Sequence, residues 1–416
     1  MKYFPKTLVL MMAAVSSSAW SAGFALNEQS IKSMGMSQAG RASSAADPTT
    51  LFGNPAGMTQ LEGTQLSGNA TFIYVPTDIE NAKGSQAGTN DGDMIPPTWV
   101  GSGFMSHEIN DNLVVGIGNY APFGLATNYE DSFQGRYFGD KSKVKVIAIQ
   151  PTIAYKLTPE FSIGLGVSVS QLEGLLSAAV APTPSNPTLE VNGDDISVGY
   201  NIGLLWQLGE QTRIGFDYRS ETEYNLEGTT EVKNFPVTGS NFMFDAALDI
   251  STPASFELSL SHALNPDVNV HASIGLTQWS VLENLVIKNS NVPVALQPSF
   301  GTITEELHWE DSWAYSVGAD WKAGDMTLRA GLGIDNTPVT DEHRSVRVPS
   351  EDRTVVTLGM SYPLNDKMSI DAAYMFLKEK TSHVDRSKVA GFTPVTYSAD
   401  YKGTGHLVGA QLNMKF

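Results

Sequence analysis

The chain has 416 residues, a formal net charge of −18 and no cysteine. Such an acidic chain lacks the basic surface that nucleic acid requires, and without cysteine it is not a small disulfide scaffold. Its seven histidines are scattered, and it contains neither Gly-x-Ser-x-Gly nor His-Glu-x-x-His. The sequence therefore predicts no enzyme, no metal site and no cofactor, although a Ser-His pair formed in space stays an open alternative.

The first segment has the features of an export signal. Lys2 and Lys6 precede an apolar stretch over 8–15, and small residues lead up to Ala22. The apolar stretch is too short to span a bilayer, so it predicts a signal peptide over 1–21 and not an anchor. We expect cleavage between Ser21 and Ala22.

Residues 22–64 do not alternate between apolar and polar. They contain short helix-compatible pieces, such as 31–39, and a turn signal at Asn54-Pro55-Ala56-Gly57. We name this segment the hatch, because we expect it to plug the barrel that the following strands predict.

From residue 65 onward, apolar and polar residues alternate with a period of two. The pattern predicts fourteen strands, at 65–75, 98–106, 112–120, 143–157, 161–170, 194–208, 212–220, 253–262, 267–277, 312–321, 326–335, 353–362, 367–377 and 405–416. Most have roughly the 9–11 residues of a tilted membrane strand, and their connections alternate between tight turns and long loops. The polar set is rich in glycine and serine, which suits the inside of a barrel.

The predicted fold is therefore all-β: a fourteen-stranded antiparallel transmembrane barrel over 65–416. A barrel of this width is not filled by its own side chains, so we expect the hatch to plug it. An even strand number places both termini on one side, the periplasmic side of an outer membrane. Aromatic residues near strand ends predict interfacial girdles, with ordinary core packing as the alternative: Tyr74, Trp99, Tyr155, Trp206, Trp279, Trp313, Trp321 and Tyr362.

Several short motifs occur in a familiar order along the whole chain. They are Gly23-Phe24-Ala25-Leu26-Asn27-Glu28, Asn54-Pro55-Ala56, Asn119-Tyr120, Gly124-Leu125-Ala126-Thr127, Gly135-Arg136-Tyr137 and Asp335-Asn336-Thr337-Pro338, followed by Arg344, Val348-Pro349 and Asp352-Arg353. In this order they resemble the FadL family, outer-membrane channels for long-chain fatty acids and other hydrophobic molecules.

The resemblance implies transport of a long-chain fatty acid. Because no energy-coupling residues are evident in the sequence, we expect this transport to be passive. A complete barrel with a hatch can work as a monomer, and we expect it to be surrounded by outer-membrane lipid and lipopolysaccharide. The resemblance also implies an inner ligand pocket at Phe24 and Leu26, a hatch or gate at Asn54-Pro55-Ala56, and a lateral opening in the third barrel strand. The four residues implied at that opening are Asn119, Tyr120, Pro122 and Gly124. Arg136 is a further candidate for ligand contact.

Each of these sites has a plainer alternative. Asn54-Pro55-Ala56 could be only a turn, Pro122 could lie in the loop after the third strand, and Phe24 could be packing. Arg136 could hold a loop by salt bridges. Arg219 and Arg329 are expected to balance lumen acids such as Asp217 and Asp320.

One departure from the family concerns the ligand's head group. Just before the tenth strand, where relatives that carry fatty acids offer basic residues, this chain reads Trp309-Glu310-Asp311. A buried acid there would repel a carboxylate, so the alternative substrate is a neutral hydrocarbon. A general porin would lack a hatch, and an adhesin or phage receptor would use only loops such as 378–404.

Overall fold

The computed structural model describes residues 23–235 and 239–416. The predicted signal peptide and its cleavage site lie outside the described residues. None of the helices in these two ranges has the length and apolar character needed to cross a membrane.

The described chain consists mainly of antiparallel strands. In chain order they are β1 Thr64–Tyr74, β2 Thr77–Gly84, β3 Thr98–Asn110, β4 Leu113–Asn128, β5 Lys141–Lys156, β6 Phe161–Ala179, β7 Thr188–Leu208, β8 Thr212–Arg219, β9 Thr222–Lys233, β10 Phe242–Thr252, β11 Ser255–Asn265, β12 Val268–Thr277, β13 Asn284–Ser290, β14 Thr302–Glu306, β15 Ser312–Ala323, β16 Met326–Asp335, β17 Arg353–Asn365, β18 Met368–Glu379, β19 Ser382–Ala390 and β20 Thr393–Lys415.

These segments close into a fourteen-stranded antiparallel barrel, which confirms the fold predicted from the sequence. The pairing of β1 with β20 joins the first strand to the last. Four barrel strands are each built from two pieces separated by a short interruption: β8 with β9, β10 with β11, β12 with β13, and β14 with β15. The remaining two segments, β2 and β19, extend the sheet by pairing with the first half of β20.

The two ends of the barrel differ. Short turns such as 209–211 and 324–325 lie at one end, which we call the turn end. Both ends of the barrel-forming chain also meet there, since the amide of Phe416 donates to the carbonyl of Thr64 at 3.0 Å. The opposite end, which we call the loop end, carries the long connections.

The barrel wall alternates as the sequence predicted, with apolar side chains outward. On β6, Ile163, Leu165 and Val167 are exposed, while the alternate positions face inward. Of the eight aromatics expected in girdles, seven are exposed on the wall. The exception is Trp279, which is only 1% exposed, so its assignment to a girdle was wrong.

The hatch fills the lumen with short helices: α1 Ile31–Met34, α2 Thr50–Gly53 and a 3-10 helix Pro55–Gln60. Further short helices, Trp279–Val281, Val294–Leu296 and α3 Gln297–Phe300, lie in connections of the wall. Wall glycines allow close approach to the hatch, because a Cβ at these positions would lie less than 3.0 Å from a hatch atom: Gly116, Gly164, Gly203, Gly215, Gly318, Gly331, Gly359 and Gly409.

Candidate functional site

An aromatic pocket surrounds Phe24, the second described residue. The Phe24 ring centroid lies 5.7 Å from that of Phe123, 4.8 Å from that of Trp279 and 5.9 Å from that of Trp309. All four side chains are buried. We call these four residues the aromatic pocket; its edge-to-face and tilted ring contacts are those that aromatic groups prefer.

Interruptions in the wall supply most of this pocket. Trp279 lies between β12 and β13, and Trp309 lies between β14 and β15. The two interruptions are held together because the Trp309 amide donates to the carbonyl of Leu282 at 3.2 Å. Phe123 follows a bulge in β4, where the register with β5 shifts between Tyr120 and Phe123. Where the wall leaves regular pairing, side chains can turn into the lumen.

The same bulge exposes a strand edge that the N-terminal segment covers. The β3–β4 ladder reaches only as far as Gly103 and Asn119, whereas β3 continues its pairing with β1 to Thr98. Beyond that point β4 remains paired with β5 on its other side. On the free side, Ala25 forms an antiparallel bridge with Phe123.

Two backbone hydrogen bonds secure this bridge. The Gly124 amide donates to the Phe24 carbonyl at 2.8 Å, and the Leu26 amide donates to the Pro122 carbonyl at 2.8 Å. A third bond, from Gln29 Nε2 to the Ala121 carbonyl at 2.7 Å, extends the contact. The N-terminal segment is thus an added strand on an otherwise unpaired edge.

The residues expected at the lateral opening are therefore brought together with those expected in the ligand pocket. Asn119 marks the last pair of the β3–β4 ladder, while Pro122 and Gly124 bond to the N-terminal segment. Tyr120 is buried and faces inward, where its ring contacts Phe52 of the hatch at 5.0 Å. The alternative that Pro122 lies in a loop after the strand is wrong, because Pro122 lies within β4 at the bulge.

An apolar cleft of about 60 Å³ lies on the loop-end side of the aromatic pocket. Strands β5, β6, β7, β9, β10 and β13 line it, and its side chains are almost all aliphatic. Lys143 also borders the cleft, but on β5 it alternates with the inward-facing Val144 and Val146, so its side chain lies on the opposite face of the strand. Leu172 and Leu226 belong both to the cleft and to the buried apolar cluster that contains Phe24.

A second cavity, of about 160 Å³, lies on the other side of the N-terminal segment, and Ala25 and Leu26 form part of its wall. We call it the lumen cavity. Its charged lining residues are four acids and two arginines: Glu28, Asp217, Glu257, Asp335, Arg41 and Arg219. The N-terminal segment therefore separates an apolar cleft from a more polar cavity.

Charges inside the hatch are mostly paired. Arg41 bonds to the Glu257 carboxylate and, through Nη1, to Asn27 Oδ1 at 2.7 Å. Lys32 Nζ lies 3.2 Å from Asp47 Oδ2. Burial alone would raise the pKa of Asp47, but Lys32 and hydrogen bonds from Thr49 hold it below its usual value. These pairs connect the hatch to itself and to the wall.

Glu28 is a hatch acid whose pKa is raised, in contrast to that of Asp47. Its side chain is buried, and this burial raises its pKa to about 7, an effect that backbone amides of Glu28 and Asn27 and the charges of Arg353 and Arg41 only partly offset. Glu28 lies two residues after Leu26, so its charge state bears on how the N-terminal segment is held.

The predicted gate residues form a capped turn pressed against the wall. Asn54 Oδ1 accepts from the Ala56 amide at 3.0 Å, and Pro55 begins the 3-10 helix. Asn54 Nδ2 also donates to the carbonyls of Ala42 at 2.7 Å and Leu204, on β7, at 2.9 Å. The turn is therefore also an attachment of the hatch to the barrel.

Arg136 lies apart from the other predicted ligand residues. It is in the connection between β4 and β5, where Nη1 donates to the carbonyls of Ala87 at 3.2 Å and Phe133 at 2.8 Å. It therefore holds loops through carbonyl groups rather than through the salt bridges that the alternative expected. Among the described residues, its buried Nε has no hydrogen-bond partner.

The expectation of a buried acid at Glu310 was wrong, whereas the charge balance expected of Arg219 and Arg329 is present. Glu310 is exposed, because the chain between β14 and β15 turns Trp309 inward and the next side chain outward, so no buried acid stands there. The guanidinium of Arg219 bonds to Tyr120 and to the Phe52 carbonyl at 3.0 and 2.8 Å, and that of Arg329 to Ser361 at 2.5 Å. The two arginines nevertheless interact through their charges with Asp217 and Asp320, as the sequence predicted.

A Ser-His-Asp arrangement does form in space, at the contact of hatch and wall. His271 Nδ1 lies 2.8 Å from Ser261 Oγ, and His271 Nε2 lies 2.8 Å from Asp320 Oδ2. The Ser261 hydroxyl is also 2.7 Å from Ser43 of the hatch. Neither Ser261 nor His271 lines the cleft or the lumen cavity, so this network attaches the hatch to the wall.

The sequence did not single out Phe123, Trp279 or Trp309 as site residues. Trp309 was read only as part of an acidic motif, and Trp279 as a girdle residue. The available signal was local: around both tryptophans the two-residue alternation fails for several positions, at 278–283 and 307–311.

Comparison with known proteins agrees with this architecture. The family model described as outer membrane protein transport protein (OMPP1/FadL/TodX) matches residues 12–416. The long-chain fatty acid transport protein of Salmonella typhi is 25% identical over 443 residues, which cover 98% of each chain.

Two solved structures show a similar fold. A FadL homologue from Pseudomonas aeruginosa has a TM-score of 0.85 at 22% identity and covers 95% of this chain and 100% of its own. The toluene transporter TbuX of Ralstonia pickettii has a TM-score of 0.67 at 19% identity and covers 92% of this chain and 97% of its own.

Proposed function

Because the chain belongs to the OMPP1/FadL/TodX family of outer-membrane transport proteins, we propose that it carries long-chain fatty acids passively across the outer membrane. The observation that carries this proposal is the N-terminal segment. It buries Phe24 among three aromatic side chains while covering a free strand edge with its backbone. One small segment thus stands between an apolar cleft, an inner cavity and a potential gap in the wall.

Entry is proposed at the apolar cleft. Its aliphatic lining would take up an alkyl chain by burial, which contributes about 0.8 kcal/mol per CH₂ group. A cleft with this aliphatic lining suits the alkyl chain of a fatty acid.

From the cleft the ligand would move to the aromatic pocket, along the shared side chains of Leu172 and Leu226. An engineered cavity of about 150 Å³ holds benzene, whereas the cleft measures only about 60 Å³. Beyond the cleft, Phe24 packs against three aromatic rings, so it would have to move before a long alkyl chain can pass.

Exit is proposed sideways, between β3 and β4. Withdrawal of Ala25 and Leu26 from β4 would leave the edge around Pro122 and Gly124 without a partner. An apolar molecule leaving through that gap would enter the bilayer directly and avoid periplasmic water. The bulge at Pro122 suits this role because proline cannot donate a ladder hydrogen bond.

The proposal also covers the gate, the orientation of the barrel in the membrane and its oligomeric state. Asn54-Pro55-Ala56 would act as the gate, because it fastens the hatch to β7. The turn end, with both termini, would face the periplasm, and the protein would act as a monomer surrounded by outer-membrane lipid and lipopolysaccharide. Arg136 would contact the ligand only through its unpaired Nε.

The test is saturable binding of labelled oleate to the purified protein. Phe24→Ala is expected to weaken binding at least tenfold, while the control Tyr362→Ala, which changes an outward-facing aromatic side chain, leaves it unchanged. Equal binding by both variants would contradict a ligand site at Phe24.

A second candidate substrate is a neutral hydrocarbon. It is favoured by the lumen cavity, where four acids outnumber two arginines and would repel a carboxylate. It is also the substrate class named for the Ralstonia pickettii transporter. Toluene that displaces oleate completely and binds more tightly would select this candidate. Failure of both ligands to bind would instead favour a receptor that uses only its loops.

A further inference from the structure

Two histidines and a glutamate that lie far apart in the sequence converge near the loop end. Glu306 ends β14, His308 follows in the interruption before β15, and His343 lies in the connection between β16 and β17. The His308 and His343 rings have centroids 4.4 Å apart. Each of the three residues has a ligand-type atom within 4.8 Å of those of the other two.

The surroundings orient these groups for a common ligand. His343 Nδ1 lies 3.2 Å from the Thr340 hydroxyl, which leaves Nε2 of the same ring for another partner. The Glu283 carboxylate lies 4.0 Å from His308 Nδ1 and adds a fourth potential ligand. His308 has a left-handed backbone φ of 42°, a conformation that is uncommon for residues other than glycine and that is concentrated at functional sites.

We propose that Glu306, His308 and His343 form a binding site for a divalent transition-metal ion, with Zn²⁺ as its representative. Two imidazoles and a carboxylate are a known zinc ligand set, and imidazole selects zinc, copper and nickel over magnesium and calcium. Neighbouring ligands of one tetrahedral zinc lie about 3.3 Å apart, given bonds of about 2.0 Å. Small side-chain rotations would bring the three groups to that spacing.

Such an ion would join two parts of the loop end. His308 belongs to the interruption that carries Trp309, and His343 belongs to the connection 336–352. These two segments already touch, because the Glu310 amide donates to the Pro338 carbonyl at 2.8 Å. A bound ion would add a strong, reversible link beside the aromatic pocket. The metal site itself does not depend on which molecule the protein transports.

The test is titration of the purified, chelator-treated protein with Zn²⁺ in the absence of fatty acid, followed by calorimetry. We expect one ion per chain. His308→Ala and His343→Ala should each weaken binding by at least about tenfold, since even outer-shell changes at metal sites cost this much. The control is His383→Ala, because His383 is exposed and lies 2.7 Å from Asp400 instead.

Excess Mg²⁺ should not displace Zn²⁺ from this site. It would displace Zn²⁺ from sites with oxygen ligands only, including those of residual lipopolysaccharide. A second measurement needs no variant: Cu²⁺ bound to the wild-type protein should show nitrogen hyperfine coupling in its electron paramagnetic resonance spectrum. Unchanged affinity in both histidine variants, displacement by Mg²⁺, or a copper spectrum with oxygen ligands alone would each overturn the proposal.

Discussion

A methyl group added at Gly203 should loosen the hatch. Its Cβ would lie 1.9 Å from Asn54 Oδ1, and real Cβ atoms essentially never approach other atoms within 3.0 Å. In Gly203→Ala, Asn54 must therefore move by more than about 1 Å, which breaks its three hydrogen bonds. At roughly 1 kcal/mol each, the loss is about 3 kcal/mol, and this shifts the balance between attached and detached hatch about 100-fold.

The assay is ion conductance through single barrels in a planar bilayer. We expect Gly203→Ala to conduct more often than the wild type, because a detached hatch leaves the lumen open. The matched control is Gly68→Ala in β1, where an added Cβ would have nothing within 4 Å. Equal conductance of the two variants would refute the view that Asn54 fastens the hatch to the wall.

Two further changes have expected outcomes. Trp279→Ala should weaken oleate binding and make the N-terminal segment more sensitive to protease, since large-to-small changes at buried aromatics cost about 3–5 kcal/mol; the exposed Trp313→Ala should do neither. Burial raises the pKa of Glu28 from 4.5 to about 7, so between these pH values the native state binds more protons than the unfolded state. The attachment of the N-terminal segment should therefore weaken as pH rises from 4.5 to 7. Amide exchange of the N-terminal segment should report this change, Glu28→Gln should abolish it, and a pH response that persists in Glu28→Gln would contradict the assignment.

The fourteen strands were predictable because lipid on one side and the lumen on the other impose a period of two. The full length of these strands was not predictable from the same pattern. The sequence pattern predicts a connection over 222–252, yet this region forms β9 and β10. There the alternation persists with opposite polarity: Tyr224 and Leu226 face inward and Glu223 faces outward, because this part of the wall projects beyond the apolar belt. A search for apolar outward faces misses such strands.

The site was predictable only in part. Phe24, Pro122 and Asn54 followed from the family resemblance, and the structure places the first two in contact through one segment. Trp279 was assigned to the wrong environment because alternation reports which face a residue takes only where pairing is regular. A buried acid at Glu310 was expected from the family resemblance, and it was wrong because the interruption before β15 turns Trp309 inward and Glu310 outward. The local sequence shows where the alternation fails, but it does not show which side chains meet at such an interruption.

The most direct test of gating by the N-terminal segment is a reversible lock. The chain has no native cysteine, and Ala25 and Phe123 form an antiparallel bridge, a spacing that a disulfide can span. Uptake of labelled oleate would be measured in the double variant Ala25→Cys, Phe123→Cys, with each single variant as a control. Loss of uptake on oxidation, in the double variant alone and restored by a reductant, is the predicted result. Full uptake by the oxidised, cross-linked protein would contradict the account.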